Sequence, residues 1–277
     1  MIALRNVLKL WAMLIGFCAV LGLIGYGLNG IRGLSIFVFC GALLAVGLYW
    51  YADRVVVGMA GAREVLPAES PALHSTLERL AARAQVIKPR LYVVTDSFPR
   101  ALAAGRGPAG GSAILVTTGL VAVASPAELE GVLAHELAHL RHRDVLVQTT
   151  AVLVSSALVE ASRQGGFLQR ALLFVLGPVA AAFTHSLLSP KREFAADREA
   201  ARICDSPHGL ADALIRLEQA MELVSFQASP ATEPLYTANP FAEEGLAALF
   251  VTHPPIGARV RRLRELDPSW REKLRAA

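Results

Sequence analysis

Two histidines four residues apart with a glutamate after the first, His135-Glu136-Leu137-Ala138-His139, form the stretch of this chain best suited to chemistry. On a helix, positions i and i+4 share a face, so both imidazoles can reach one metal ion. Glu136 then stands close enough to the water that such a metal acidifies to take its proton. The flanking residues specify a helix. Ser125, Pro126 and Glu128 read as N-cap, first-turn proline and N3 glutamate, and Leu129, Val132, Leu133, Leu137 and Leu140 recur at three- and four-residue spacing. Alone, the pattern also fits an amphipathic helix with two surface histidines, and His142 extends that reading to a basic, solvated turn.

Catalytic zinc takes three protein ligands and one open position, so a third ligand is needed from a helix that folds back on the first. Residues 189–197 read S-P-K-R-E-F-A-A-D. Glu193 and Asp197 stand at i and i+4, so their carboxylates point the same way. One can bind zinc while the other accepts a hydrogen bond from a ligand imidazole and fixes its tautomer. The same residues also fit a charged helix start with Glu193 paired to Arg192 or Arg198.

The elements that must position these groups lie in a chain of 277 residues that is 54% hydrophobic, with a mean hydropathy of +0.45. That is too apolar for an ordinary soluble domain. Residues 7–28 carry no charge after Lys9 and residues 34–51 carry none, each near the ~20 residues that cross a bilayer. The short 29–33 connection makes them a helical hairpin. It reads as a hairpin and not a cleaved leader, because a second span follows at once and no small-x-small cleavage site is clear. Arg5, Lys9, Arg54 and Arg63 flank the pair and only Arg32 lies between, which places both ends in the cytoplasm. A second apolar pair, 145–161 and 168–188, is interrupted by Gln148, Glu160, Gly177-Pro178 and His185. It reads as membrane-spanning or as core helices of the soluble part.

Between the pairs, 71–86 reads as an amphipathic helix, 91–94 and 113–118 as strands, and the Ala- and Gly-rich 100–112 as a loop. The free edge of strand 113–118 could pair with an extended substrate backbone. Past the second pair, 194–203, 209–224 and 255–266 read as helices and 227–244 as a loop. The net charge of +4 and pI near 9.2 come from arginines that flank apolar blocks, without aromatic interleaving, so no nucleic-acid partner is expected. Cys18, Cys40 and Cys204 form neither a disulfide framework nor a metal motif.

H-E-L-A-H at 135–139, followed beyond a hydrophobic pair by E-F-A-A-D at 193–197, resembles the membrane-bound M48 zinc metallopeptidases, close to the HtpX type. Val116-Thr117-Thr118-Gly119-Leu120 is similar to that family's strand end, and Thr252-His253-Pro254-Pro255-Ile256 with Arg259 to its C-terminal motif. The resemblance implies a mainly α membrane protein, with two transmembrane helical hairpins and a zincin-like α+β metalloprotease domain bearing a small sheet. Its parts would be 1–61, 62–144, 145–188 and 189–277. It implies one Zn2+ per chain on His135, His139 and Glu193, Glu136 as general base, and Asp197 as partner of a ligand imidazole. His253 and Arg259 would approach from the C-terminal side, stabilising the tetrahedral intermediate or holding the site closed. The implied protein is multi-pass in a bacterial cytoplasmic membrane, its active site facing the cytoplasm. It would cleave polypeptides, damaged or misassembled membrane proteins among them, as protein quality control. The chain departs from the pattern at Arg100-Ala101-Leu102, where such proteases commonly read Asn-Ala-Phe. Three other readings share the motifs: a narrow-specificity processing peptidase of the same family, a non-enzymatic membrane scaffold with a structural zinc, and a transporter subunit.

Overall fold

A computed structural model describes residues 2–145, 190–225 and 254–267. The first element, α1 (Ile2–Met59), is helical except at Asn29 (φ −149°, ψ 34°) and Gly30 (φ 56°, ψ −142°). Positive φ is open to glycine at no steric cost, and the break falls within the 29–33 connection expected from the sequence. It folds α1 into two arms. A Cβ on Gly25 would strike the Gly33 backbone, and one on Gly41 would stand 3.0 Å from a Leu21 methyl. Small residues along this seam let the two arms pack closely. Outward-facing Ile15, Leu23, Ile36, Phe39 and Leu43 are exposed, and Leu14–Leu44 is long and apolar enough to cross a membrane.

Beyond α1 come β1 (Arg63–Glu64), α2 (Pro71–Ala84), β2 (Arg90–Val94), β3 (Ala101–Gly105), β4 (Ser112–Thr117), α3 (Thr118–Val123) and α4 (Pro126–His142). After the interval 146–189, the described residues give α5 (Pro190–Cys204), α6 (His208–Ser225) and α7 (Ile256–Glu265). The sheet order is β1-β2-β4-β3. β2 runs parallel to β4, with Val93 opposite Val116, and β3 runs antiparallel to it, with Ala103 opposite Ile114.

This topology corrects two sequence expectations. Residues 101–105, read as loop, form a strand: their small side chains carry little β-propensity, and pairing to β4 supplies what propensity does not. β4, expected to offer a free edge, is enclosed on both sides, and the edge belongs to β3.

One face of the sheet packs Tyr92, Val94, Ala104 and Leu115 against Val56 near the end of α1. Asp53, on the same arm, accepts a hydrogen bond from Arg90 at 2.7 Å and ties α1 to β2. The other face packs Leu91, Ala103, Ile114 and Val116 against Leu77 and Leu80 of α2 and Leu133 and Leu137 of α4. α4 is therefore the central helix of the soluble part, with α5 and α6 against it. Its start carries the anticipated capping box: Ser125 N–H donates to Glu128 Oε2 at 2.7 Å, and Glu128 N–H donates back to Ser125 Oγ. The second apolar pair beyond Val145, the 227–244 loop and His253 lie outside the described residues.

Candidate metal centre

The burial of α4 decides what its histidines are. His135 and His139 are 7% and 4% exposed, which rules out two surface histidines on a solvated face. Their Nε2 atoms stand 3.1 Å apart. Glu193 on α5 faces both, with carboxylate oxygens 3.6 Å from each Nε2. Two zinc ligands at about 2.0–2.1 Å from the ion, spread at the tetrahedral angle, stand about 3.3 Å apart, so one ion fits between these rings. His135, His139 and Glu193 are the candidate metal group among the described residues.

Each imidazole turns its other nitrogen to a carboxylate. His135 Nδ1 lies 3.1 Å from Asp197 Oδ1, one helical turn past Glu193. His139 Nδ1 lies 3.2 Å from Asp144 Oδ2. A carboxylate on Nδ1 holds the proton there and frees Nε2 as the ligand atom. Burial disfavours a charged His135 ring, but hydrogen bonds to Asp197 and Glu193 outweigh it and push its pKa up to about 9. The field that favours a proton there also favours a divalent cation. Four acidic side chains (Glu136, Asp144, Glu193 and Asp197) face two arginines (Arg192 and Arg259), an excess of two negative charges before the imidazoles are counted.

Arg259, on α7, reaches this cluster from the C-terminal side. Its Nε and Nη2 fork onto Asp197 at 2.9 and 2.6 Å, and its Nη1 lies 3.5 Å from Glu193 Oε2. Burial would raise the Asp197 carboxyl, yet the bonds to Arg259 and His135 hold it below its ordinary value. Glu136 sits on the same turn as His135 and is partly exposed. Its Oε2 accepts the backbone N–H of Ala103 at 2.7 Å, which links the edge strand to the site. The ladder places Arg100 and Arg106 in hydrogen bonds toward the β4 side, so by alternation the N–H and C=O groups of Ala101, Ala103 and Gly105 point outward from the sheet.

The structure thus brings together His135, Glu136, His139, Glu193, Asp197 and Arg259. Sequence reasoning missed Asp144, Arg192 and Ala103. Asp144 is five residues past His139, off the helix face, and it returns beneath the ring only because Arg143 takes the left-handed conformation (φ 57°) at the end of α4. An acid beside a helix C-terminus gives no periodic signal. Arg192 Nε donates to Asp144 Oδ1 at 2.9 Å, a pairing that spans 48 positions.

The sequence pattern of peptidase family M48 matches residues 67–267. A protein described as Protease HtpX homolog from Pelotomaculum thermopropionicum is 38% identical, over 93% of this chain and 98% of that protein. One from Salinibacter ruber is 37% identical, over 94% and 98%, and one from Pyrococcus abyssi 36%, over 88% and 90%. Among solved structures, S. mikatae Ste24p superposes with a TM-score of 0.51 at 19% identity, a likeness of fold. That comparison covers 94% of this chain and 64% of Ste24p, so the chain spans a little under two thirds of its length.

Proposed function

The chain belongs to peptidase family M48 as an HtpX-type membrane metalloprotease, and from that premise we propose that it is a zinc endopeptidase built on His135, Glu136, His139 and Glu193. The observation that carries the reading is the convergence of two buried Nε2 atoms, 3.1 Å apart, on the Glu193 carboxylate. One zinc held there supplies Lewis-acid polarisation of a scissile carbonyl and lowers the pKa of water toward about 7. The chain's own residues do the rest. Asp197 fixes the tautomer of His135, and Arg259, its fork engaged by Asp197, braces that carboxylate. Glu136 takes the proton of the attacking water and delivers it to the leaving amine, worth about 10²–10⁴-fold in rate. At the open end of β3 the outward N–H and C=O of Ala101 offer an extended polypeptide a place to pair, next to the Ala103 N–H that Glu136 occupies.

We infer that α1, long and apolar enough to cross a membrane, is the first hairpin and the apolar pair expected at 145–188 the second, and the basic flanks Arg5, Lys9, Arg54 and Arg63 favour a cytoplasmic catalytic side. A multi-pass protease so placed acts on polypeptides at the inner face of a bacterial membrane, misfolded membrane proteins among them, as quality control. To His253 we assign only what the sequence resemblance implies, an approach to the site from the C-terminal side.

The test measures zinc content and casein cleavage by the detergent-purified chain, beside Glu136→Gln and His139→Ala. One zinc in wild type and Glu136→Gln, with cleavage in wild type alone and neither zinc nor cleavage in His139→Ala, is expected. Cleavage by Glu136→Gln at the wild-type rate refutes the assignment of the base. Zinc without cleavage in any form favours the scaffold reading.

A further inference from the structure

Asp144 and Arg192 stand where the chain leaves the site and where it returns. Asp144 is fully buried and lies two residues before the 146–189 interval; Arg192, 7% exposed, lies three residues after it. Arg192 holds Asp144 twice, donating from Nε to the carboxylate at 2.9 Å and from Nη2 to the backbone carbonyl at 3.0 Å. The other carboxylate oxygen lies against His139 Nδ1 at 3.2 Å. Arg192 is also the residue before Glu193, so a single buried pair touches one candidate ligand directly and adjoins another in sequence. A buried guanidinium and carboxylate are costly to desolvate unless geometry and hydrogen bonding compensate. Here the carboxylate has both oxygens engaged, and the arginine adds a bond to a backbone carbonyl that the helix end would otherwise leave open. Ordinary closure of the 48-residue excursion needs no such buried pair, since lengthening a loop adds little to its entropic cost.

We propose that Asp144 and Arg192 are positioning residues of the metal site: Asp144 orients His139 for coordination through Nε2, and Arg192 locks Asp144 to the helix that carries Glu193. The proposal rests on the reading of His135, His139 and Glu193 as metal ligands.

The test uses the full detergent-purified chain loaded with zinc or cobalt, as wild type, Asp144→Asn, Arg192→Gln, the double variant and His139→Ala. Metal affinity comes from competition with a chelator, ligand geometry from the cobalt d–d spectrum, and folding from circular dichroism. Asp144→Asn is expected to fold, to bind zinc about 10–100-fold more weakly and to shift the cobalt bands. Arg192→Gln is expected to shift the same bands with a smaller loss, and the double variant to bind no more weakly than Asp144→Asn, because Arg192 acts through Asp144. Wild-type affinity with unshifted bands in Asp144→Asn overturns the proposal, and so do single losses that add fully in the double variant. If Asp144→Asn does not fold, Arg192→Gln decides: unshifted bands overturn the proposal and shifted bands support it. A wild type without zinc, or His139→Ala at wild-type affinity, removes the metal reading itself and the proposal with it.

Discussion

Gly131→Ala is a perturbation in which two known effects oppose each other and the structure says which wins. Gly131 lies in α4 one turn before His135. By helix propensity alone, alanine stabilises an interior helical position by about 1 kcal/mol over glycine. A Cβ at Gly131, however, would lie 2.5 Å from Leu210 N, 2.8 Å from Leu210 Cα and 2.9 Å from Gly209 C, all backbone atoms of α6. Ordinary contact begins near 3.4 Å, so α4 and α6 must separate by about 0.9 Å, and no flexible side chain can absorb the shift. Overpacking of that kind costs about 1–3 kcal/mol, and with rigid backbone as the obstacle the upper end applies. The net result is a loss of about 2 kcal/mol. At about 2–4 °C per kcal/mol, the melting temperature falls by about 4–8 °C. The displaced helix also carries His135 and Glu136, and misplacement by about 1 Å costs on the order of 10²-fold in rate. Thermal unfolding in detergent and casein cleavage measure both effects. Gly257→Ala, at a helical position with nothing within 4 Å of its added Cβ, is the control and should be neutral or slightly stabilising. If Gly131→Ala melts at or above wild type with full activity, the close crossing of α4 and α6 is wrong.

Three other outcomes follow from the same structure. Asp197→Asn, which weakens the fork from Arg259 and the bond from His135, should lower zinc affinity by about 10–100-fold in a chelator competition while Glu193 remains in place. Burial would raise the Glu128 carboxyl, but Ser125 N–H and Arg216 outweigh it and hold it below 4.5. A lowered folded-state value means that this stabilisation is full above the unfolded pKa and is lost as pH falls through the folded one. Glu128→Gln should therefore melt below wild type at pH 7, with the gap closing on acidification below 4.5; a gap that widens contradicts the ion pair. Burial pushes the Cys204 thiol up to about 12, so in a Cys18→Ser, Cys40→Ser background a maleimide should label native protein slowly and denatured protein at once.

What the sequence revealed and what it concealed divide along a physical line. The capping box at Ser125, the His135–His139 spacing and the Glu193–Asp197 pair are local, each written within one or two turns of one helix, and periodicity exposes them. The turn at Asn29–Gly30 is local as well. Strand β3 was hidden because Ala101, Ala103, Ala104 and Gly105 have no strand preference, and pairing with β4, from Ala101 opposite Val116 to Gly105 opposite Ser112, makes them a strand. β4 was taken for an edge because strand order is set by the whole sheet. Asp144 and Arg192 read as flanking charges until folding joined them across 48 positions. The departure at Arg100-Ala101-Leu102 falls at the start of that same strand, with Leu102 half-exposed beside the end of α1.

The edge of β3 bears on which molecules the protease can recognise. Of its outward groups, those of Ala101 stand at the part-exposed end, beside a base that already holds the Ala103 N–H. A polypeptide added there must bring backbone groups not already spent on its own helix or sheet. A transmembrane helix with every amide paired has none to give, whereas a frayed end or a loop torn from its partners has several. Discrimination on such an edge is made by conformational state before it is made by side chain. On the proposed reading, a well-assembled neighbour in the bilayer would be spared because its hydrogen bonds are already taken.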